Sequence, residues 1–221
     1  MLPFFENHFF CVAYDLPGHG STPYSDDILS VLKKEMRKIS LLKPVLVGYS
    51  MGGRIILQLQ EYAAALVTLS AHPGLVTKKE KEKRREIDEI WYEKLLTLPF
   101  DAFLDLWYAQ PIFQSLTRKR PLLQLIVKRR IDQNSQDLAC VMRQLSLANQ
   151  PQITRFLCPA LFMYGEEDLK YRKLYRKLPK TVSVRSIKNS GHAIHLENAR
   201  ECAEEILNWS RNQQGENHAN A

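Results

Sequence analysis

Short runs of β-forming, apolar residues alternate along the chain with segments whose apolar positions recur every three or four residues. Cys11-Val12-Ala13-Tyr14-Asp15, Val45-Leu46-Val47, Leu66-Val67-Thr68-Leu69-Ser70, Ala160-Leu161-Phe162-Met163-Tyr164 and 182–187 read as strands. Most are nearly continuous in apolar character, which is the signature of strands buried on both faces of a sheet. Helical spacing falls between them, over 25–39, 53–62, 169–177 and 199–209, with Ser25 as the expected N-cap ahead of Asp26 and Asp27. Strand–helix–strand alternation predicts an α/β fold, a mostly parallel, doubly wound sheet with helices on its faces. From 75 to 151 the pattern is helical only, at 78–96, 100–109, 121–131 and 136–148. The expected organisation is therefore an α/β core of 1–74 and 152–210 with a helical cap, 75–151, inserted into it. The polar stretch 211–221 is expected to be a disordered tail.

Composition narrows the class. At 221 residues, 45% hydrophobic and 25% charged, the chain can bury one core and carry an inserted subdomain. Cys11, Cys140, Cys158 and Cys202 are far apart and form no C-x-x-C pair, so no metal site or disulfide framework is expected and a reducing cytoplasm is. No apolar run reaches the roughly 18 residues of a membrane span, and 1–5 lacks the basic start of a signal peptide. The net charge of +7 comes from clusters at 78–85, 118–120, 128–130 and 170–180. In the first of these, lysines and arginines are interleaved with Glu80, Glu82 and Glu86, the pattern of a solvated helix face. An anionic small molecule fits this charge better than nucleic acid or membrane does. Oligomeric state is not legible.

Candidate chemistry centres on Gly48-Tyr49-Ser50-Met51-Gly52, a G-x-S-x-G motif with a strand before it and a helix after it. Such a tight turn needs neighbours without a Cβ, and it projects the serine hydroxyl at the carboxyl end of the strand. Met51 follows at the helix N-terminus, where its N–H can face a developing negative charge. A serine hydroxyl is a poor nucleophile or base alone and needs an imidazole oriented by a carboxylate. The order Ser50, Asp168, His192 supplies both, each on a loop after a strand, where doubly wound sheets collect their chemistry. Glu166 and Glu167 are rival acids. Asp168 could instead be only a helix N-cap, and His192 only a loop residue.

Asp15-Leu16-Pro17-Gly18-His19-Gly20 and Gly48-Tyr49-Ser50-Met51-Gly52-Gly53-Arg54 resemble the α/β-hydrolase superfamily at large. Narrower pieces are His72-Pro73-Gly74-Leu75, Trp107-Tyr108-Ala109-Gln110-Pro111-Ile112-Phe113, Leu145-Ser146-Leu147-Ala148-Asn149-Gln150-Pro151 and Gly165-Glu166-Glu167-Asp168-Leu169-Lys170-Tyr171-Arg172. These resemble the 2-succinyl-6-hydroxy-2,4-cyclohexadiene-1-carboxylate synthases, lyases of menaquinone biosynthesis, from about residue 9 to 209. The resemblance implies elimination of pyruvate from a bulky polycarboxylate, with Ser50 and His192 acting as the base and the Met51 N–H holding developing charge. It also implies carboxylate-binding roles for Arg54, Arg84 and Arg130, with Arg129 a rival to Arg130, and pocket-shaping roles for Tyr49 and Trp107. A planar guanidinium binds a carboxylate bidentately, so three of them suit a polycarboxylate. Solvated helix faces, and cap packing for Trp107, are the alternatives. No metal or organic cofactor is implied. The strands and His-Gly loop that open this fold, source of a second oxyanion N–H, have no counterpart ahead of 1–5, which matches the helix after that loop. Two other functions are compatible: a carboxylesterase or thioesterase on the same triad, and a catalytically weak or silent binder.

Overall fold

The computed structural model describes residues 1–39 and 42–219. Four parallel strands form its sheet in the order β1 (Val45–Tyr49), β2 (Ala65–Leu69), β3 (Ala160–Gly165) and β4 (Ser183–Ile187). Val45 stands beside Ala65, Leu66 beside Ala160 and Leu161 beside Ser183. Side chains alternate across the pleat, so each central strand serves two cores at once. Val67, Leu69, Leu161 and Met163 point to one face, under Ile194 of α9 (Ile194–Glu197) and Cys202, Ile206 and Trp209 of α10 (Ala199–Ala219). Leu66 and Phe162 point to the other, against Ile56 of α2 (Met51–Ile56) and Tyr171 and Tyr175 of α8 (Leu169–Tyr175). This two-sided burial is why β2 and β3 carry apolar residues at nearly every position, and each such side chain contributes about 1.5–3 kcal/mol.

The block between β2 and β3 contains no strand among the described residues. It comprises α3 (Lys78–Thr97), α4 (Phe100–Tyr108), α5 (Gln114–Thr117), α6 (Arg120–Lys128) and α7 (Ser135–Gln144). Thr77 and Glu80 close a reciprocal capping box at the start of α3. Leu95, Phe103, Leu104, Phe113, Leu116 and Ile126 give this block a core of its own. Val141 and Leu145 fasten it to the α/β part through Ile28 and Leu32 of α1 (Ile28–Ile39) and Ile55 and Leu59.

Several sequence expectations need correction. Cys11–Asp15 forms no strand; Phe10 is 95% and Val12 75% exposed. β-forming composition supplies no hydrogen-bond partner, and this segment lies against no strand, while β1 is the sheet's outer strand among the described residues. The first helix begins at Ile28 rather than Ser25, because Asp27 is the residue whose carboxylate accepts the Ser30 N–H, at 3.0 Å. The elbow helix is α2, ending at Ile56, with a separate 3₁₀ turn at Gln60–Tyr62. Where a disordered tail is expected from 211, α10 continues to Ala219.

Candidate active site

Ser50 sits between β1 and α2 with φ 47° and ψ −106°, a left-handed backbone that a non-glycine residue adopts only under constraint. The constraint is visible on both sides. The Ser50 N–H donates to the Leu69 carbonyl at 2.8 Å, and the Ser50 carbonyl accepts the Arg54 N–H at 3.0 Å. A Cβ on Gly48 would lie 2.5 Å from the Gly52 backbone, and one on Gly53 would lie 2.4 Å from the Ala71 methyl. Close crossing of strand and helix therefore requires these two glycines. Gly52 differs from the sequence expectation, since a Cβ there meets nothing within 4 Å.

The turn brings Ser50 to the other two members of the expected triad. His192 Nε2 lies 3.2 Å from Ser50 Oγ, and His192 Nδ1 lies 3.0 Å from Asp168 Oδ2. Asp168 and His192 are both buried. Asp168 does two jobs, because its Oδ1 accepts the Tyr171 N–H at 3.1 Å and so caps α8. Gly165 lets the acid loop approach the histidine loop; a Cβ there would lie 2.0 Å from the Gly191 carbonyl. Glu166 and Glu167 are exposed, and Glu167 is ion-paired with Arg118. Asp168 is thus the only one of the three acids bonded to His192. Tyr49, Phe113 and Tyr171 surround the imidazole at ring separations of 5.4, 6.1 and 5.1 Å. Burial raises the Tyr49 and Tyr171 hydroxyl pKa values far above the ordinary phenol range, so both rings stay neutral. Met51 opens α2, which makes its N–H one of the first-turn donors without an intrahelical acceptor.

Positive charge gathers beside this chain of hydrogen bonds. Arg54 donates to the Leu145 carbonyl at 2.8 Å, and its pKa is lowered to about 10 by burial and then by the charge of Arg84. Arg84 is held by Asp88 at 2.7 Å, and Asp88 in turn accepts the Ser146 hydroxyl at 2.6 Å. Two further groups that the sequence analysis quoted only inside motifs belong to the same cluster. His72 is pushed down to about 4 by burial and by the charges of Lys170, Arg54 and Arg84. Lys170, an exposed residue at the rim of the site, is lowered by partial desolvation and then by the charge of Arg84. Nothing in the local pattern distinguishes these two from surface residues; tertiary contact alone assembles them.

Arg130 is not part of that cluster. Its guanidinium lies 5.7 Å from the Tyr108 ring, and its charge acts on Tyr49 and on His195, whose ring lies tilted against Tyr49 at a centroid separation of 4.2 Å. Of the rival pair it is Arg130, rather than Arg129, whose charge reaches Tyr49. Trp107 packs among Trp91, Phe103 and Phe113 at 5.1, 5.8 and 6.1 Å, in the aromatic core of the helical block, one ring removed from His192. A cavity of about 410 Å³ adjoins Asp168 and His192 and is lined by Ile112, Ser115 and Lys170 among others. A larger one of about 590 Å³, between α4 and α6, touches none of the triad. Among the described residues, no cluster of three or more His, Cys, Asp or Glu could hold a metal ion, and no helix is long and apolar enough to cross a membrane.

Comparison with known proteins gives the family. The profile of the alpha/beta hydrolase family matches residues 1–205. The 2-succinyl-6-hydroxy-2,4-cyclohexadiene-1-carboxylate synthase of Salmonella heidelberg (strain SL476) is 34% identical over 197 residues, covering 83% of this chain and 77% of the relative. The same enzyme of Salmonella paratyphi C (strain RKS4594) is 33% identical over the same coverage. Among solved structures, MenH from S. aureus superposes with a TM-score of 0.85 at 26% identity, covering 96% of this chain and 89% of that one. A thermophilic esterase from Thermogutta terrifontis superposes at 0.69 and 19% identity, over 90% of this chain and 78% of the esterase, and is alike in fold alone. A serine poised on a strained elbow, a fold shared throughout and a relative one-third identical lead to one assignment: the chain belongs to the alpha/beta hydrolase family and is an enzyme, a lyase or a hydrolase.

Proposed function

We propose that the chain eliminates pyruvate from a polycarboxylate cyclohexene to give 2-succinyl-6-hydroxy-2,4-cyclohexadiene-1-carboxylate, a step of menaquinone biosynthesis. The observation that carries this reading is the conjunction of the Ser50–His192–Asp168 hydrogen bonds with the cationic cluster of Arg54, Arg84 and Lys170 beside them. An enzyme acting on neutral esters needs the first and has no use for the second. In this mechanism His192 Nε2 takes the Ser50 proton as the Ser50 oxygen takes a ring proton. The C–H electron pair becomes the new ring double bond, the C–O bond to the three-carbon unit breaks, and that unit leaves as an enolate. The proton held by the Ser50–His192 pair then passes to it, giving pyruvate. Asp168 keeps His192 Nδ1 protonated and the ring aimed. The Met51 N–H stabilises the charge that develops on the substrate. Arg54, Arg84 and Lys170 hold carboxylates on one side, while Arg130, Tyr49 and Trp107 bound the other.

Pyruvate release, followed by coupled oxidation of NADH with lactate dehydrogenase, tests this. Ser50→Ala is expected to lower kcat by about 10³-fold or more while leaving ligand affinity within about threefold. A hydrolase on the same residues is the second reading, favoured by the strained elbow at Ser50, which suits acyl transfer. Turnover of neutral aryl esters without pyruvate release would select it. Binding with no turnover of either substrate would make the chain a silent member of the family.

A further inference from the structure

The loop that carries His192 is clamped by a buried carboxylate. Glu197 has no exposed side-chain surface, and its two oxygens accept the N–H groups on either side of the histidine: Gly191 at 3.2 Å and Ala193 at 3.1 Å. Its counter-charge comes from another part of the molecule. Lys119, between α5 and α6, places its ammonium 3.5 Å from Glu197 Oε2 and donates to the carbonyls of Asn189 at 2.7 Å and Glu197 at 3.3 Å. One lysine of the helical block thus holds three oxygens of the histidine loop. The same block presses on the loop directly, since a Cβ on Gly191 would meet Ser115 Oγ at 2.0 Å. Asn189, at the start of the loop, is held at φ 50°, a left-handed conformation that few side chains adopt unaided.

We infer that Glu197 and Lys119 are positioning residues for His192, so that seating the helical block and aiming the imidazole at Ser50 are one event. A buried carboxylate with two backbone donors and one ammonium is fully satisfied only when both parts of the molecule are in place. Loss of Lys119 leaves that carboxylate buried and unneutralised, and the peptide planes around His192 are then free to rotate. Displacing an imidazole by even about 1 Å costs up to about 100-fold in rate. Neither residue lines the hydrogen-bonded chain itself, so substrate affinity depends little on them. The inference rests on Ser50 and His192 acting as a pair, which is shared by the lyase and hydrolase readings.

The full chain carrying Lys119→Met, Lys119→Arg or Glu197→Gln tests it by three measurements. The first is the rate at which a fluorophosphonate labels Ser50, which needs an oriented His192 but no particular substrate. The second is the low-field proton resonance of the His192–Asp168 hydrogen bond. The third is the kcat and KM of pyruvate release. The expected result for Lys119→Met is a labelling rate and kcat lower by about 10- to 100-fold, KM within about twofold, and a low-field resonance broadened or lost. Lys119→Arg should recover most of the rate. Unchanged labelling and an unchanged resonance in folded Lys119→Met would overturn the inference, whatever becomes of Glu197→Gln. Should the unaltered chain label at Ser50 yet release no pyruvate, the lyase reading fails and labelling alone decides this one.

Discussion

Two histidines near the site report the positive charge on either side of it. His72 and His195 are each held down to about 4, mainly by burial, and then by Lys170, Arg54 and Arg84 for His72 and by Arg130 for His195. Both bind a proton less readily in the folded chain than at the ordinary value of 6.5. The unfolded chain therefore takes up the extra protons as pH falls from 6.5 towards 4, and stability rises with pH across that window. Each group accounts for on the order of 2–3 kcal/mol. Thermal melts between pH 4 and 7 should show the slope. His72→Asn, which can keep an acceptor for the Gly74 N–H now bonded to His72 Nδ1 at 3.0 Å, should flatten part of it. A melting temperature that is level across the window would remove the argument. The glycines of the elbow give a second residue-scale contrast. Gly48→Ala drives a methyl into the Gly52 backbone and should cost about 3 kcal/mol or prevent folding. Gly52→Ala, in open space on α2, should change stability by no more than about 1 kcal/mol, in the stabilising direction. Urea melts of the pair decide it.

Elements show what the chain pattern could and could not carry. β2 and β3 were legible because both of their faces are buried, so nearly every position is apolar. Cys11–Asp15 has the same composition and makes no strand, because strandhood depends on a partner's hydrogen bonds, which composition does not encode. The loops that meet at His192 were legible for a different reason: Ser50, Asp168 and His192 each follow a strand, and a parallel sheet carries those ends to one edge. Lys119, Glu197, Lys170 and His72 offered no such signal, since their neighbours arrive from elements far away in sequence. Trp107 was legible as an aromatic of the helical block, and its packing against Trp91 and Phe103 is evident only in three dimensions. The outer strand makes a prediction at this scale. Val47 on β1 is 42% exposed and Val67, its neighbour on β2, is fully buried. Val47→Lys should cost no more than about 0.5 kcal/mol, whereas Val67→Lys should abolish folding. Circular dichroism and urea melts separate the two, and equal losses would mean that β1 is covered in solution.

Over the whole molecule, a net charge of +7 and the placement of its cations make association the step most open to test. Arg84 lies close enough to lower the proton affinity of both Arg54 and Lys170, so those two stay charged at a cost in desolvation and repulsion. A polyanionic substrate relieves that repulsion as it binds; a neutral ester does not. Arg130 adds a further positive charge on the Tyr49 side, so an anion nearing Ser50 meets positive potential from two directions. Screening acts on this approach directly, because the Debye length shrinks from about 30 Å at 0.01 M salt to about 8 Å at 0.15 M. For the polycarboxylate, kcat/KM should therefore fall by about tenfold between those concentrations, mostly through KM. For an uncharged aryl ester it should stay within about twofold. Arg130→Gln should shallow the salt dependence for the polycarboxylate and leave the ester unaffected. A polycarboxylate rate indifferent to salt would mean that the arginines neutralise one another's partners rather than recruiting a ligand. The triad would then be serving an uncharged substrate, and the hydrolase reading would take the lyase's place.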